Sequence, residues 1–181
     1  MEATTSTNQW LIDTTHSEVQ FKVKHLLIST VTGQFLKFDG TLESQGENFD
    51  NAKTTFEAEI ESINTNLADR DAHLKSADFF DANTFPKLTF ESTSFINKGG
   101  DKYAITGNLT LKDMTKTITL DAHYGGKMTD FYNQTKVGFE ISGSINRKDF
   151  GLNWSAVTEA GGIVVSDEVK LILNVQFTQK S

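Results

Sequence analysis

The residues that could carry out chemistry are few and scattered along the chain. There is no cysteine, and no two of the four histidines have the spacing of a helical zinc site. The histidines are His16, His25, His73 and His123. No Gly-x-Ser-x-Gly elbow, phosphate-binding glycine loop or His-Glu-x-x-His motif occurs. The sequence therefore predicts no cofactor, no metal and no catalytic residue. An enzyme acting on a hydrophobic small molecule is the alternative, because catalytic groups can meet in the fold alone.

Two basic positions could bind a polar head group. Arg70 lies with Asp71 at the start of a predicted short helix, and Arg147 and Lys148 are adjacent further along the chain. A guanidinium binds phosphate through two parallel hydrogen bonds, which makes both arginines, with Lys148, head-group candidates. The other interpretation of Arg70 is a salt bridge that ties the helix to the barrel. The second position has the same two interpretations.

Alternation of apolar and polar residues predicts the elements that must position these groups. Eight stretches place apolar residues on one face and polar residues on the other, as β-strands do. They span residues 19–25, 33–42, 56–60, 88–90, 103–111, 118–124, 137–145 and 169–177, with a bulge between Phe35 and Phe38. Because every strand has one apolar face, a single layer that wraps its own core is favoured. The predicted fold is all-β, an eight-stranded antiparallel barrel, and a β-sandwich is the alternative.

Two irregular segments interrupt the strands. Residues 67–85, between the third and fourth strands, predict a short helix and a turn that Ser76 could cap. Pro86 then returns the chain to an extended form. Residues 146–166, before the last strand, form a long loop without a strand pattern. We expect both segments to cover the ends of the barrel. The chain, 1–181, is predicted to be one domain with residues 1–8 as a disordered or loosely attached tail.

The apolar faces of the strands have two interpretations. An eight-stranded barrel is wide enough either to be filled by side chains or to hold one slender ligand. The strand residues that would form a filled core or a ligand-binding wall are Phe21, Val23, Phe35, Phe38, Phe56, Ile60, Phe90, Ile105, Phe139 and Ile141. His25 ends one of these faces and is either a structural histidine or a ligand contact.

Further positions on the apolar side are also ambiguous. Phe79, Phe80 and Trp154 lie in the irregular segments, where they could plug a barrel end or anchor a lid. Three glycines fall at inward-facing positions, where they predict either bends or space left open for a ligand. These glycines are Gly33, Gly107 and Gly143.

The charge balance limits the partners. The chain has 17 basic and 24 acidic side chains, a net charge of −7, and no run of lysine or arginine. Nucleic acids and anionic membrane surfaces need a positive footprint, so neither is predicted as a partner. No apolar run approaches the roughly 20 residues that span a bilayer, which predicts no stable membrane insertion. Residues 1–9 lack the features of a secretory signal, so we expect a cytoplasmic location, or a periplasmic one if a leader was removed. A homodimer is possible.

Several separated motifs resemble the YceI-like family of bacterial lipid-binding proteins. They are IDTTHS at 12–17, FKVKHL at 21–26, VTGQF at 31–35, RDAHLKSADFF at 70–80 with FP at 85–86, ITGNLTL at 105–111, and NRKDFGL at 146–152 with Trp154. The resemblance implies an extended lipocalin-like barrel. It also implies a polyisoprenoid, isoprenoid quinone or pyrophosphate-like lipid in the lumen, held for transport, storage or sequestration. A barrel that binds a fatty acid or fatty amide is the alternative.

Overall fold

The structure is a computed structural model that describes residues 6–26, 28–46, 48–154 and 165–180. Its strands are β1 (Thr7–Ile12), β2 (Glu18–His25), β3 (Ser29–Phe35), β4 (Phe38–Gln45), β5 (Lys53–Glu59), β6 (Ile63–Asn64), β7 (Lys87–Gly99), β8 (Lys102–Leu111), β9 (Met114–Thr129), β10 (Thr135–Asn146) and β11 (Val165–Gln179). One α-helix, α1 (Ala68–Lys75), lies in these ranges, and 3-10 turns cover Ile60–Ser62 and Arg147–Phe150. No helix in this part of the chain is long and apolar enough to cross a membrane.

The strands form one antiparallel sheet that closes on itself. Its ring has the order β1-β4-β5-β7-β8-β9-β10-β11, and β11 returns to pair with β1. Three ring positions are each formed by two strands separated by a break: β1 with β2, β4 with β3, and β5 with β6. β2 pairs with the first part of β11. The ring thus has eight strands, three of them interrupted. The predicted eight-stranded antiparallel barrel is confirmed, and the sandwich is wrong because β1 and β11 join the two ends of the sheet.

The alternation in β8 shows why these residues form a barrel wall. Tyr103, Ile105, Leu109 and Leu111 point inward and are buried, and the residues between them are polar or small. On the outer face, threonine hydroxyls of β8 and β9 hydrogen-bond across the strand pair, for example Thr106 to Thr119 at 3.1 Å. β-branched side chains suit such a pleated surface.

The structure contains a strand, β1, ahead of the first predicted strand at residues 19–25. Thr7 and Asn8, which were predicted to lie in a loose tail, belong to β1 and pair with Gln45 and Ser44 of β4. Trp10 is 4% exposed, and its indole N–H donates to the Ser44 hydroxyl at 3.1 Å. Thr7 and Asn8 thus belong to a strand, because β4 supplies backbone partners that a local pattern does not reveal. Residues 1–5 lie outside the described residues.

Two of the breaks in the strands have a distinct local structure. Between β1 and β2, the Ser17 hydroxyl accepts the Gln176 backbone N–H at 2.9 Å, so a side chain replaces a missing strand partner. Between β3 and β4, the predicted bulge is confirmed as a break of two residues. It lets Phe35 and Phe38 both face inward, since the side-chain phase shifts by one residue.

The barrel has two different ends. At the aromatic end, Trp10, Phe49, Phe95, Tyr124 and Phe139 pack ring against ring, and centroid separations include 5.2 Å for Phe49 to Phe139. Phe49 comes from the connection between β4 and β5 and closes this end. At the helix end lie α1, residues 76–86 and residues 147–154. The predicted short helix between the third and fourth predicted strands is confirmed as α1.

Candidate ligand-binding cavity

A cavity of about 190 Å³ lies inside the barrel between the aromatic end and the helix end. Its wall is apolar, and the strand residues that line it come from both halves of the ring. Phe21, Ile141, Leu171 and Leu173 face inward yet are only half-buried, because they border this space rather than packed side chains. The inward-facing residues of β8, by contrast, are fully buried. The more exposed side of the cavity wall therefore lies along β2, β10 and β11, although Ile105, Leu109 and Leu111 of β8 line the cavity as well.

Most of the predicted wall residues meet at this cavity. Those that line it are Phe21, Val23, Phe35, Phe56, Phe79, Phe80, Phe90, Ile105 and Ile141. They come from β2, β3, β5, β7, β8, β10 and the segment after α1, so residues distant in sequence share one surface. Whether each contacts a ligand stays a prediction.

The other predicted wall residues lie elsewhere. Phe139 is 4% exposed among the rings of the aromatic end, and Ile60 is buried in the 3-10 turn after β5. Phe38 stacks on Phe56 at 6.1 Å and is not among the residues that line the cavity. His25 ends β2 opposite Ser29 and Val165. The alternating pattern specifies an inward direction but not the height along the barrel, which separates these residues from the cavity.

Several lining residues were not among the predicted wall residues. Leu171, Leu173, Val175 and Phe177 follow the predicted alternation of the last strand, so the same signal identifies them. Leu74 belongs to α1, which is too short and polar for its sequence to mark an inner face. Its position depends on how α1 folds over the barrel end, which is a non-local property.

The three inward-facing glycines lie beneath large side chains of neighbouring strands. A Cβ atom on Gly33 would come within 2.2 Å of the Phe21 ring, and one on Gly107 within 2.5 Å of the Phe90 ring. One on Gly143 would come within 2.5 Å of Leu120. The space that each glycine leaves is therefore occupied by a cavity-lining side chain from the adjacent strand.

Arg147 places a positive charge on the cavity lining. It is 3% exposed, and its Nη1 donates to the carbonyl oxygens of Leu152 and Trp154, both at 2.6 Å. Its Nε donates to the Ser166 carbonyl at 2.9 Å, and the Asp167 carboxylate lies 3.7 Å from Nη2. Burial lowers the pKa of Arg147, and Asp167 partly offsets this. The guanidinium stays charged at neutral pH. Arg147 thus ties residues 152–154 to β11 and lines the cavity at the same time.

The other two head-group candidates lie away from the cavity lining. Arg70 donates from Nε to the Thr65 hydroxyl at 2.7 Å and from Nη2 to the Thr65 carbonyl at 2.5 Å. Asp71 accepts both the backbone N–H and the hydroxyl of Thr65, at 2.8 and 2.5 Å. The buried Thr65 therefore anchors α1 to β6, which replaces the expected salt bridge. Lys148 pairs with Asp167 at 3.3 Å on the exterior.

An aromatic cluster covers the helix end. Phe79 lines the cavity, and the rings of His73 and Trp154 pack against it at 5.1 and 5.3 Å. His73 is held by Asp78, whose carboxylate lies 2.9 Å from Nε2. Trp154 therefore packs in this cluster and does not line the cavity. The remainder of the predicted long loop, residues 155–164, lies outside the described residues. In the described ranges, no three histidine, aspartate or glutamate side chains come together as metal ligands.

The fold and cavity together define a class of protein, the small closed β-barrels that enclose an apolar cavity. The YceI-like domain family matches residues 10–177. Protein YceI of Salmonella newport (strain SL254) is 40% identical over 165 residues, which cover 91% of this chain and 83% of that protein. The chain belongs to the YceI-like domain family.

Solved structures share the architecture. The crystal structure of Burkholderia cenocepacia BcnA superposes with a TM-score of 0.80 at 22% identity, covering 91% of this chain and 98% of BcnA. A polyisoprenoid binding domain from Saccharophagus degradans, implicated in plant cell wall breakdown, has a TM-score of 0.66 at 14% identity and covers 94% of this chain and 98% of that domain. At such identities the likeness shows the fold.

Proposed function

We propose that this protein binds a long-chain amphiphile of the polyisoprenoid class in the barrel cavity, for transport, storage or sequestration. The observation that carries the proposal is the apolar wall of the cavity, from Phe21 and Val23 to Leu171 and Leu173. Burial of each methylene against such a wall contributes about 0.8 kcal/mol. The polyisoprenoid class is supported by the structurally similar polyisoprenoid binding domain from Saccharophagus degradans. A fatty acid or fatty amide is the alternative ligand.

The cavity size limits how the ligand fits. At about 190 Å³ it is smaller than the pockets of drug-sized ligands, which range over about 300–1,000 Å³. A slender, unbranched or methyl-branched chain suits this space better than a fused-ring molecule. A longer chain must displace side chains at the helix end, where Phe80 and Leu74 are half-buried. The aromatic end, by contrast, is filled by packed rings.

The polar end of the ligand belongs at the helix end in this proposal. Arg147 is the only ionisable side chain among the described residues that line the cavity. Its N–H groups already bind backbone carbonyls, so it contributes a positive potential rather than the bidentate grip expected of a free guanidinium. Such a potential favours an anionic or carbonyl-bearing head group. A single arginine does not supply the base and nucleophile of an enzyme, which favours a binding protein.

The proposed function can be tested by a substitution in β11 that makes the cavity smaller. Leu173 lines the cavity, and its neighbour Ile172 lies on the opposite face of β11. In Leu173→Trp the indole fills the space of the ligand. We expect at least about tenfold weaker retention of a polyprenyl phosphate probe, since several methylenes lose their burial. Native mass spectrometry of the purified protein, with and without the probe, measures occupancy.

Ile172→Trp is the matched control, because it adds the same side chain one residue away on the outer face. We expect it to retain ligand as the unmodified protein does. Circular dichroism checks that both variants fold. Retention by Leu173→Trp equal to that of Ile172→Trp, or an unmodified protein that neither carries lipid nor takes up the probe, contradicts the proposed function. Preferential uptake of a fatty acid over the polyprenyl probe favours the alternative ligand.

A further inference from the structure

The turn between β2 and β3 presents apolar side chains to solvent at the helix end. Ile28 is 84% exposed and Leu26 is 38% exposed. The turn is fixed by hydrogen bonds to the His25 carbonyl, from the Ile28 backbone N–H at 3.2 Å and the Ser29 hydroxyl at 3.3 Å. These bonds direct Ile28 away from the barrel.

Leu26 adopts a backbone conformation that leucine avoids. Its φ angle is 53°, in the left-handed region where glycine and asparagine are favoured. A strained position of this kind persists where the surrounding structure enforces it, and such positions cluster at functional sites. Leu26 is nevertheless 38% exposed, so the chain buries its side chain only in part.

Three lysines lie on the outer wall next to this turn. Lys22 and Lys24 point outward from β2, and Lys170 of β11 lies directly opposite Lys22. Like charges in direct opposition on neighbouring strands are unfavourable. None of these lysines forms an ion pair with a carboxylate of the described residues, although Glu168 lies on the same face of β11. The surface is therefore a local positive patch on a chain with net charge −7.

The turn and the lysines adjoin the cavity. Val23, two residues before the end of β2, lines it, and so does Val165, which pairs with His25 at the same rim. The apolar turn thus projects from the rim of the barrel, and the lysines lie just behind it. An apolar tip backed by lysines complements a bilayer with anionic head groups, because the tip enters the interface as the lysines meet phosphates.

We propose that the docking surface formed by Leu26, Ile28, Lys22, Lys24 and Lys170 binds the surface of an anionic phospholipid bilayer. Docking is peripheral and reversible, since two apolar side chains and three charges fall far short of a membrane-spanning element. It sets the helix end of the barrel against the bilayer. The use of this contact to load or release a ligand rests on the proposed function, whereas the contact itself does not.

The test is flotation of the full chain with vesicles of phosphatidylcholine, with and without phosphatidylglycerol, at low and high ionic strength. We expect binding that requires phosphatidylglycerol and that falls as salt screens the charges. The triple variant Lys22→Gln, Lys24→Gln, Lys170→Gln should weaken binding by about fivefold per lysine. The double variant Leu26→Asn, Ile28→Ser should weaken it as well, and asparagine suits the left-handed position.

Two matched controls change the same chemistry at the aromatic end. Lys53→Gln, Lys98→Gln, Lys102→Gln removes three exposed lysines and alters the net charge equally. Phe131→Ser, Tyr132→Ser removes two aromatic side chains that are 106% and 84% exposed at the turn between β9 and β10. We expect both controls to bind vesicles as the unmodified chain does.

Three outcomes overturn the docking surface: equal binding with and without phosphatidylglycerol, no binding at all, or equal weakening by the test and control lysine variants. Loss of binding in the Phe131 and Tyr132 variant alone assigns docking to the opposite end and overturns it too. Native mass spectrometry of the same samples separates the two proposals. Vesicle binding by a protein that takes up no lipid contradicts the proposed function alone, and lipid uptake without vesicle binding contradicts the docking surface alone.

Discussion

Phe21 and Phe139 are the same residue type on the same side of the barrel wall, yet their surroundings differ. Phe139 is 4% exposed, with the rings of Phe49 and Tyr124 centred 5.2 and 5.4 Å away. Phe21 is half-buried, packs on Phe35 at 5.7 Å and borders the cavity. A ring that faces a void has fewer contacts to lose than one enclosed on all sides.

The two phenylalanines should therefore separate stability from binding. Phe139→Ala should reduce the free energy of unfolding by about 3–5 kcal/mol, as for other fully enclosed phenylalanines. Phe21→Ala should reduce it by less than half as much and change ligand affinity instead. Urea unfolding of the ligand-free protein and probe titration measure the two effects. Equal destabilisation by the two substitutions contradicts the position of Phe21 at the cavity.

The Asp13 carboxylate holds the segment between β1 and β2 in place. Asp13 Oδ2 lies 2.5 Å from Lys136 Nζ of β10 and 2.8 Å from His16 Nδ1. The Thr15 hydroxyl donates to Asp13 Oδ1 at 2.7 Å. Burial raises the pKa of Asp13, but these hydrogen bonds outweigh it and hold the pKa well below its usual range. The break in the strand is thus linked to β10 by an ionised group.

This linkage gives the element a pH dependence with a definite sign. Because the pKa of Asp13 is lower in the folded chain than in the unfolded one, its stabilisation is complete above the unfolded value near 3.9 and is lost as pH falls below it. Asp13→Asn should reduce the free energy of unfolding at pH 7 by about 2 kcal/mol and flatten its decline in acid. Urea unfolding between pH 7 and pH 3 measures both effects. Asp113→Asn, at the exposed turn after β8, is the control, and an equal loss there contradicts the assigned role of Asp13.

Alternation along the sequence predicted most of the strands, because each has one solvent-exposed and one buried face, but it did not predict β1. The bulge after Phe35 was visible for the same reason, as a change of phase. Phe49 was not, because it lies in a connection without alternation and is buried only when the aromatic end closes around it. Arg147 was identified as a cation, but its partners include the carbonyl of Ser166, 19 residues away, which no local pattern specifies.

At the scale of the whole molecule, the net charge is negative, whereas the local charge on neighbouring parts of β2 and β11 is positive. The net charge of −7 predicted no anionic surface as a partner. Strand pairing nevertheless brings Lys170 beside Lys22, from positions far apart in sequence. A total over the chain cannot report this juxtaposition, since it depends on which strands are neighbours. Equally, the cavity is a property of the closed ring and belongs to no single strand.

Ligand removal should change the stability of the whole barrel. A ligand that binds only the folded chain adds about 2.7 kcal/mol to the free energy of unfolding at a concentration 100 times its Kd. Extraction with organic solvent should lower the unfolding midpoint, and adding back the polyprenyl phosphate probe should restore it in a concentration-dependent manner. Leu173→Trp serves as the control, because its stability should not respond to the probe. If the unfolding midpoint of the unmodified chain does not change when the probe is added, binding to the folded state is contradicted.

Gly33, Gly107 and Gly143, which lie beneath Phe21, Phe90 and Leu120, influence the inner width of the barrel. Each lets the side chain of a neighbouring strand settle against the wall, where a Cβ atom would force it toward the axis. The three glycines thus leave room for these large side chains against the barrel wall. The width of a bound ligand is in this way limited by residues that do not line the cavity, and an added methyl group at Gly33 would push the Phe21 ring into the cavity.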